Sequence, residues 1–193
     1  MRYLLVICLC GVSPLTGCTS DDSTQDAETT CVCNSAINND GVCFQGIHEI
    51  KCSSRNHVLE TTTISYTDNP PACGDHYARW AKFQDYTDIV PRGNWVHNLE
   101  HGGVVFLYQN DLDPQTIATF RDLYTRIPDD AVCGAGKKRA LLSQDPELEF
   151  AVAVVAWQWV YKANCVDEIA IMAFVNDHRN HAPEDLCTDG TWN

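Results

Sequence analysis

Basic residues are scarce in this sequence: 13 Lys and Arg stand against 26 Asp and Glu, a formal net charge of -13 over 193 residues. A surface of that sign repels phosphate backbones, which excludes nucleic-acid binding by counterion release. No apolar run approaches the roughly 20 residues that a helix needs to cross a bilayer, so no spanning segment is expected. There is no G-x-S-x-G nucleophile turn, no phosphate-binding glycine loop and no dinucleotide fingerprint, and no internal repeat. Methionine is nearly missing too, with 2 in the chain. One of them, Met172, stands between Ile171 and Ala173 in a helical stretch, where it reads as core packing rather than as a soft copper ligand. What the chain does have is 45% hydrophobic residues, 11 cysteines and 7 histidines. Its length is that of one domain with a sizeable core.

The N-terminus carries a targeting signal. Met1-Arg2-Tyr3 is a short basic start, Leu4 to Leu15 a short apolar stretch, and the run closes on Leu15-Thr16-Gly17-Cys18. That closing segment resembles a bacterial lipobox, which implies removal of residues 1–17 and acylation of Cys18. Lipid chains contribute about 0.8 kcal/mol per buried methylene, so the expectation is a domain held at a membrane by its anchor. Thr19, rather than Asp, resembles the pattern sent to the outer membrane where a cell has two. An ordinary signal peptide, with Cys18 left to a disulfide, is the alternative. Residues 18–30 follow as an acidic tether, with Asp21, Asp22, Asp26 and Glu28 among Ser, Thr and Gln, too polar to fold alone.

Eight further cysteines remain: Cys31, Cys33, Cys43, Cys52, Cys73, Cys133, Cys165 and Cys187. An even number in an exported chain predicts disulfides, here two local and two long-range, with connectivity open. Cys31-Val32-Cys33 could instead hold a soft ion such as Cu(I). The crowding of cysteines over residues 31–56, around the turn Asn38-Asn39-Asp40-Gly41, predicts a small stapled module ahead of a main domain at 57–193.

Within that domain, His57 to Tyr66 is β-branched and reads as a strand, and Val104 to Tyr108 as a buried one. Asp113 and Pro114 predict a helix start, with Ile117, Phe120, Tyr124 and Ile127 on its apolar face. Arg139 to Ser143 and a long strand from Phe150 to Tyr161 predict an antiparallel pair, and Val166 to Asn180 a closing helix. The order favours an α+β fold, a mostly antiparallel sheet with two helices on one face.

Histidine concentrates the chemistry. In His97-Asn98-Leu99-Glu100-His101-Gly102-Gly103, two imidazoles four residues apart share one side of a helical turn, close enough for one ion. On a strand they would stand about 13 Å apart. Gly74-Asp75-His76-Tyr77, after the rigid Pro70-Pro71, can bring a third ring, so His76, His97 and His101 are the expected ligands of Cu or Zn. Asp75, Glu100 and His57 are expected to orient them. The same residues could instead be a hydrogen-bonded core without metal, in a structural or protein-binding domain. The segment also fits the H-x-x-E-H of inverted zincins, which would make a zinc hydrolase, but Pro91-Arg92-Gly93 and Gly102-Gly103 leave barely two turns for it. Trp80, Trp95, Trp157 and Trp159 read as core and rim aromatics.

Asn69-Pro70-Pro71, Gly74-Asp75-His76-Tyr77, Trp80-Ala81 and Val96 to Val105 together resemble the bacterial family called domain of unknown function 3105. Ala156-Trp157, Arg179, Pro183 and Glu184 extend the likeness over about residues 57–184. His57, His76, His97 and His101 all fall where that family's pattern has His. The resemblance implies an exported or membrane-anchored protein and assigns no reaction. Two positions depart from it. Cys73 stands where Ser is usual, which implies a disulfide there, and His178 stands where an aromatic is usual.

Overall fold

The computed structural model describes residues 43–192. Cys18, the tether, and Cys31 and Cys33 lie outside the described residues. Five strands form one mixed sheet in the order β1-β7-β6-β4-β5: β1 (Gln45–Glu49), β4 (Val104–Tyr108), β5 (Ala140–Gln144), β6 (Val152–Ala156) and β7 (Trp159–Ala163). Two further short strands, β2 (His57–Val58) and β3 (His76–Tyr77), pair parallel with each other. The helices are α1 (Arg92–Glu100), α2 (Pro114–Arg126) and α3 (Glu168–His178).

Every residue of β4 and β6 is buried, because helices cover both faces of the sheet. One face carries Phe106, Leu142, Val154 and Tyr161 against Phe120 and Leu123 of α2 and Ile171 and Phe174 of α3. The other carries Val105, Leu107, Leu141 and Val155 against Trp95, Val96 and Leu99 of α1. Alternation along β4 therefore feeds two cores, and the strand reads as a continuous apolar run. α+β is the class, with α2 and α3 sharing one face and α1 on the opposite one.

Asp113 caps α2 by accepting from the Thr116 N–H at 2.9 Å, and Asp167 caps α3 by accepting from Ala170 at 3.0 Å. Two expected strands and one expected pairing are corrected. The segment from His57 to Tyr66 is a strand only at His57–Val58, since among the described residues no neighbouring strand lies beside the rest to satisfy its backbone. β5 does not pair with β6. The β4-α2-β5 crossover returns the chain in its original direction, so β5 lies parallel to β4 at the edge, and β4 separates it from β6. The long strand from Phe150 to Tyr161 is a hairpin: the chain reverses at Trp157-Gln158, where Gln158 has φ 67°, and Ala156 faces Trp159.

Three disulfides close the described chain: Cys43–Cys165, Cys52–Cys73 and Cys133–Cys187, with sequence separations of 122, 21 and 54. They fit an oxidising, exported environment. The described part of the cysteine-rich segment is stapled to the main domain rather than to itself, and β1 extends the main sheet by pairing with β7. Among the described residues no helix is long and apolar enough to cross a membrane.

Candidate metal centre

On the α1 side of the sheet, four ligand atoms from His57, His76, His97 and Glu100 lie within 4.8 Å of one another. Three pieces of local structure bring them together. The parallel register of β2 and β3 sets His57 directly beside His76. α1 presents His97 and Glu100 from one side, because residues three apart are neighbours on a helix. The Asp75 carboxylate, accepting from the Asn56 backbone at 3.0 Å and from its side chain at 2.9 Å, fastens the approach to β2 against β3. The Cys52–Cys73 bridge ties the same two segments a few residues upstream of each histidine.

The backbone fixes which nitrogens face inward. His76 Nδ1 lies 2.8 Å from the Gly74 carbonyl and His97 Nδ1 lies 2.6 Å from the Tyr77 carbonyl. A carbonyl only accepts, so both Nδ1 atoms carry the hydrogen and a neutral ring leaves its lone pair on Nε2. Among the described residues, neither buried Nε2 has a hydrogen-bond donor to accept from. His76 Nε2 stands 3.0 Å, and His57 Nε2 3.6 Å, from Oε2 of Glu100, which is itself buried. Burial pulls His76 below its ordinary pKa and pushes His97 down to about 3. At neutral pH these lone pairs thus face Oε2 of a buried carboxylate whose other oxygen accepts from Arg55 at 3.3 Å, an arrangement of donors that a cation between them would satisfy.

The spacing suits such a cation. Bonds of about 2.1 Å in a tetrahedral site place the ligand atoms about 3.4 Å apart, and the two contacts to Glu100 bracket that value.

The remaining residues of the motif shape this pocket. Asn98 accepts from the Ala81 N–H at 2.9 Å and donates to the Ala81 carbonyl at 2.8 Å, which holds Trp80 over His97 and His101 at ring separations of 4.9 and 4.7 Å. Gly102, with φ 81°, ends the helix, and a Cβ there would strike Asp185 and Arg139. A Cβ on Gly103 would fall 2.5 Å from the Phe83 ring.

His101 lies outside the group of four. Its ring packs 4.6 Å from that of His97, but it follows the last residue of α1, and its Nδ1 is 3.4 Å from Oε2 of Glu184. Burial pushes it down to about 4. Asp75 acts on the backbone and not on an imidazole; hydrogen bonds from Asn56, then Ser54, hold its carboxyl below the usual range. Glu100 and His57, expected as orienting residues, are brought into the centre itself. The parallel β2–β3 pairing that does this leaves no trace in a two-residue strand. His178 is remote and stacks on Trp159. A cavity of about 230 Å³ opens beside Cys73, Tyr66 and Asp75, and none of the four lines it.

A family model described as protein of unknown function (DUF3105) matches residues 57–189, over two thirds of the chain. The chain belongs to that family. All four residues of the centre lie inside the matched region, whereas β1, Cys43 and Cys52 precede it. No curated protein and no solved structure gives a significant match. The family's description assigns no activity, so the centre is read from its own chemistry.

Proposed function

We propose that this protein is a lipid-anchored envelope protein that binds one transition-metal ion, Zn or Cu, through His57, His76, His97 and Glu100. The observation that carries the reading is the pair of backbone-fixed imidazoles whose buried Nε2 lone pairs face the Glu100 carboxylate. Three nitrogens and one oxygen, with no sulfur, suit Zn²⁺ or Cu²⁺ rather than Cu⁺. The carbonyls of Gly74 and Tyr77 do the orienting that such rings need from outside the coordination sphere. The anchor at Cys18 places the domain at the membrane surface, on the outer membrane where a cell has two, and serves binding or delivery there.

The geometry does not favour the hydrolase arrangement. In an H-x-x-E-H site both His bind the metal and the Glu activates water, whereas here Glu100 joins His97 and His101 stands aside.

Elemental analysis of protein purified without chelators or a His tag tests the reading. Near-stoichiometric Zn or Cu, lost in His97→Ala, is the expected result. No metal in the wild type, even after loading with either ion, would end it.

A further inference from the structure

Resting on the metal reading above, we infer that His57 is the exchangeable ligand of the centre, the position through which the ion is taken up and handed to an incoming nitrogen donor such as an imidazole. The four ligands are unequal. The side chains of His76 and Glu100 are 0% and 3% exposed, and that of His57 is 54% exposed. His97 is buried as well. His76 and His97 are each pinned by a backbone carbonyl, whereas the His57 ring has only its approach to Glu100 and edge or tilted contacts with the other two rings. It sits on a strand of two residues that, among the described residues, pairs only with β3.

Among the described residues, Arg55 reaches across this side of the centre. Its Nη1 reaches Glu100 at 3.3 Å and Glu184 at 3.9 Å, and its side chain is half exposed. The contact to Glu184 is exposed at both ends and holds its geometry weakly, so Arg55 is tied on this side chiefly through Glu100. The other three ligands are backed by buried structure: His97 and Glu100 stand on the buried side of α1, His76 on β3, and the Trp80 ring lies 4.9 Å from that of His97. An incoming ligand therefore meets the metal at the edge that His57 occupies, and substitution there leaves three fixed ligands in place. The exchange changes no oxidation state: the metal–nitrogen bond to His57 breaks as one to the incoming imidazole forms, and the His57 lone pair is returned to water.

The test uses Cu²⁺, whose visible spectrum reports its ligands, with EDTA as acceptor. His57→Ala should still take up one Cu²⁺, release it to EDTA at least tenfold faster than the wild type, and recover the wild-type spectrum and slow release when free imidazole is added. His76→Ala and His97→Ala should retain no stoichiometric Cu²⁺ under the same conditions. Circular dichroism of each variant confirms folding, so that loss of metal is read only on folded protein. Equal loss in all three variants, release from His57→Ala at the wild-type rate, or no recovery with imidazole would overturn the inference while leaving the centre itself standing. A wild type that binds no Cu²⁺ or Zn²⁺ would overturn both.

Discussion

Acid should destabilise the metal-free protein between pH 7 and pH 5. His97 and His101 are buried and pushed down to about 3 and about 4, while in the unfolded chain each returns to about 6.5. Across this window the unfolded chain binds a proton at each and the folded chain at neither. Both folded values lie below the unfolded one, so the stability is complete above about pH 7 and is lost progressively as pH falls towards those values. The loss by pH 5 is fixed almost entirely by the unfolded value. It amounts to about 1.4 pK units, or about 2 kcal/mol, for each ring and about 4 kcal/mol for the two. His76, also lowered by burial, adds in the same direction. Lowered carboxyls such as Asp75, Asp113 and Asp130 titrate beneath the window. Against a typical total of about 5–15 kcal/mol this is a large fraction. Urea unfolding followed by Trp fluorescence in the presence of a chelator, at half-unit steps of pH, reads it directly. His97→Gln should flatten the dependence by about 2 kcal/mol. A wild type of constant stability from pH 7 to 5, or an unchanged slope in His97→Gln, would refute the reasoning.

Other consequences can be checked on the same protein. Cys52→Ser with Cys73→Ser opens a loop of 21 residues and should cost about 3 kcal/mol by chain entropy. Because that bridge braces β2 against β3, metal affinity measured by competition should fall with it, whereas Cys133→Ser with Cys187→Ser should lower stability and leave affinity unchanged. Gly93→Ala places a Cβ 2.5 Å from the Tyr77 ring, whose own carbonyl orients His97. It should destabilise by about 1–3 kcal/mol and weaken metal binding, visible as a lower melting temperature that added metal only partly restores. Phe106→Ala, in the core on the far side of the sheet, should cost about 3–5 kcal/mol in urea unfolding and leave the metal affinity of the folded protein unaltered.

Local signals in the sequence carried far. Val104 to Tyr108 is a strand with those very ends, and Asp113-Pro114 starts its helix, because capping and a run buried on both faces are decided within a few residues. The helical turn under His97 was equally legible, since the spacing of the motif admits it and Gly102 ends it. The pairing of β5 was not, because the α2 crossover sends the chain back parallel and a turn at Gln144-Asp145-Pro146 looks the same in either topology. The hairpin at Trp157-Gln158 hid for a similar reason, having no glycine where φ turns positive. At the centre, spacing singled out His97 and His101, but the neighbour of His97 that joins it is Glu100. Which of the two faces the other ligands depends on where β3 and β2 dock. That is a long-range property, set by Asn56, Asp75 and the Cys52–Cys73 bridge together.

The most direct test of the central claim is anomalous diffraction from crystals of the protein loaded with Zn²⁺ or Cu²⁺, collected at the absorption edge of the metal. A single peak about 2.0–2.2 Å from the Nε2 atoms of His57, His76 and His97 and from a Glu100 oxygen, with His101 unbound, is the result expected. A peak at Cys31 and Cys33, a peak that engages His101 in place of Glu100, or no ordered ion among these four residues would contradict it.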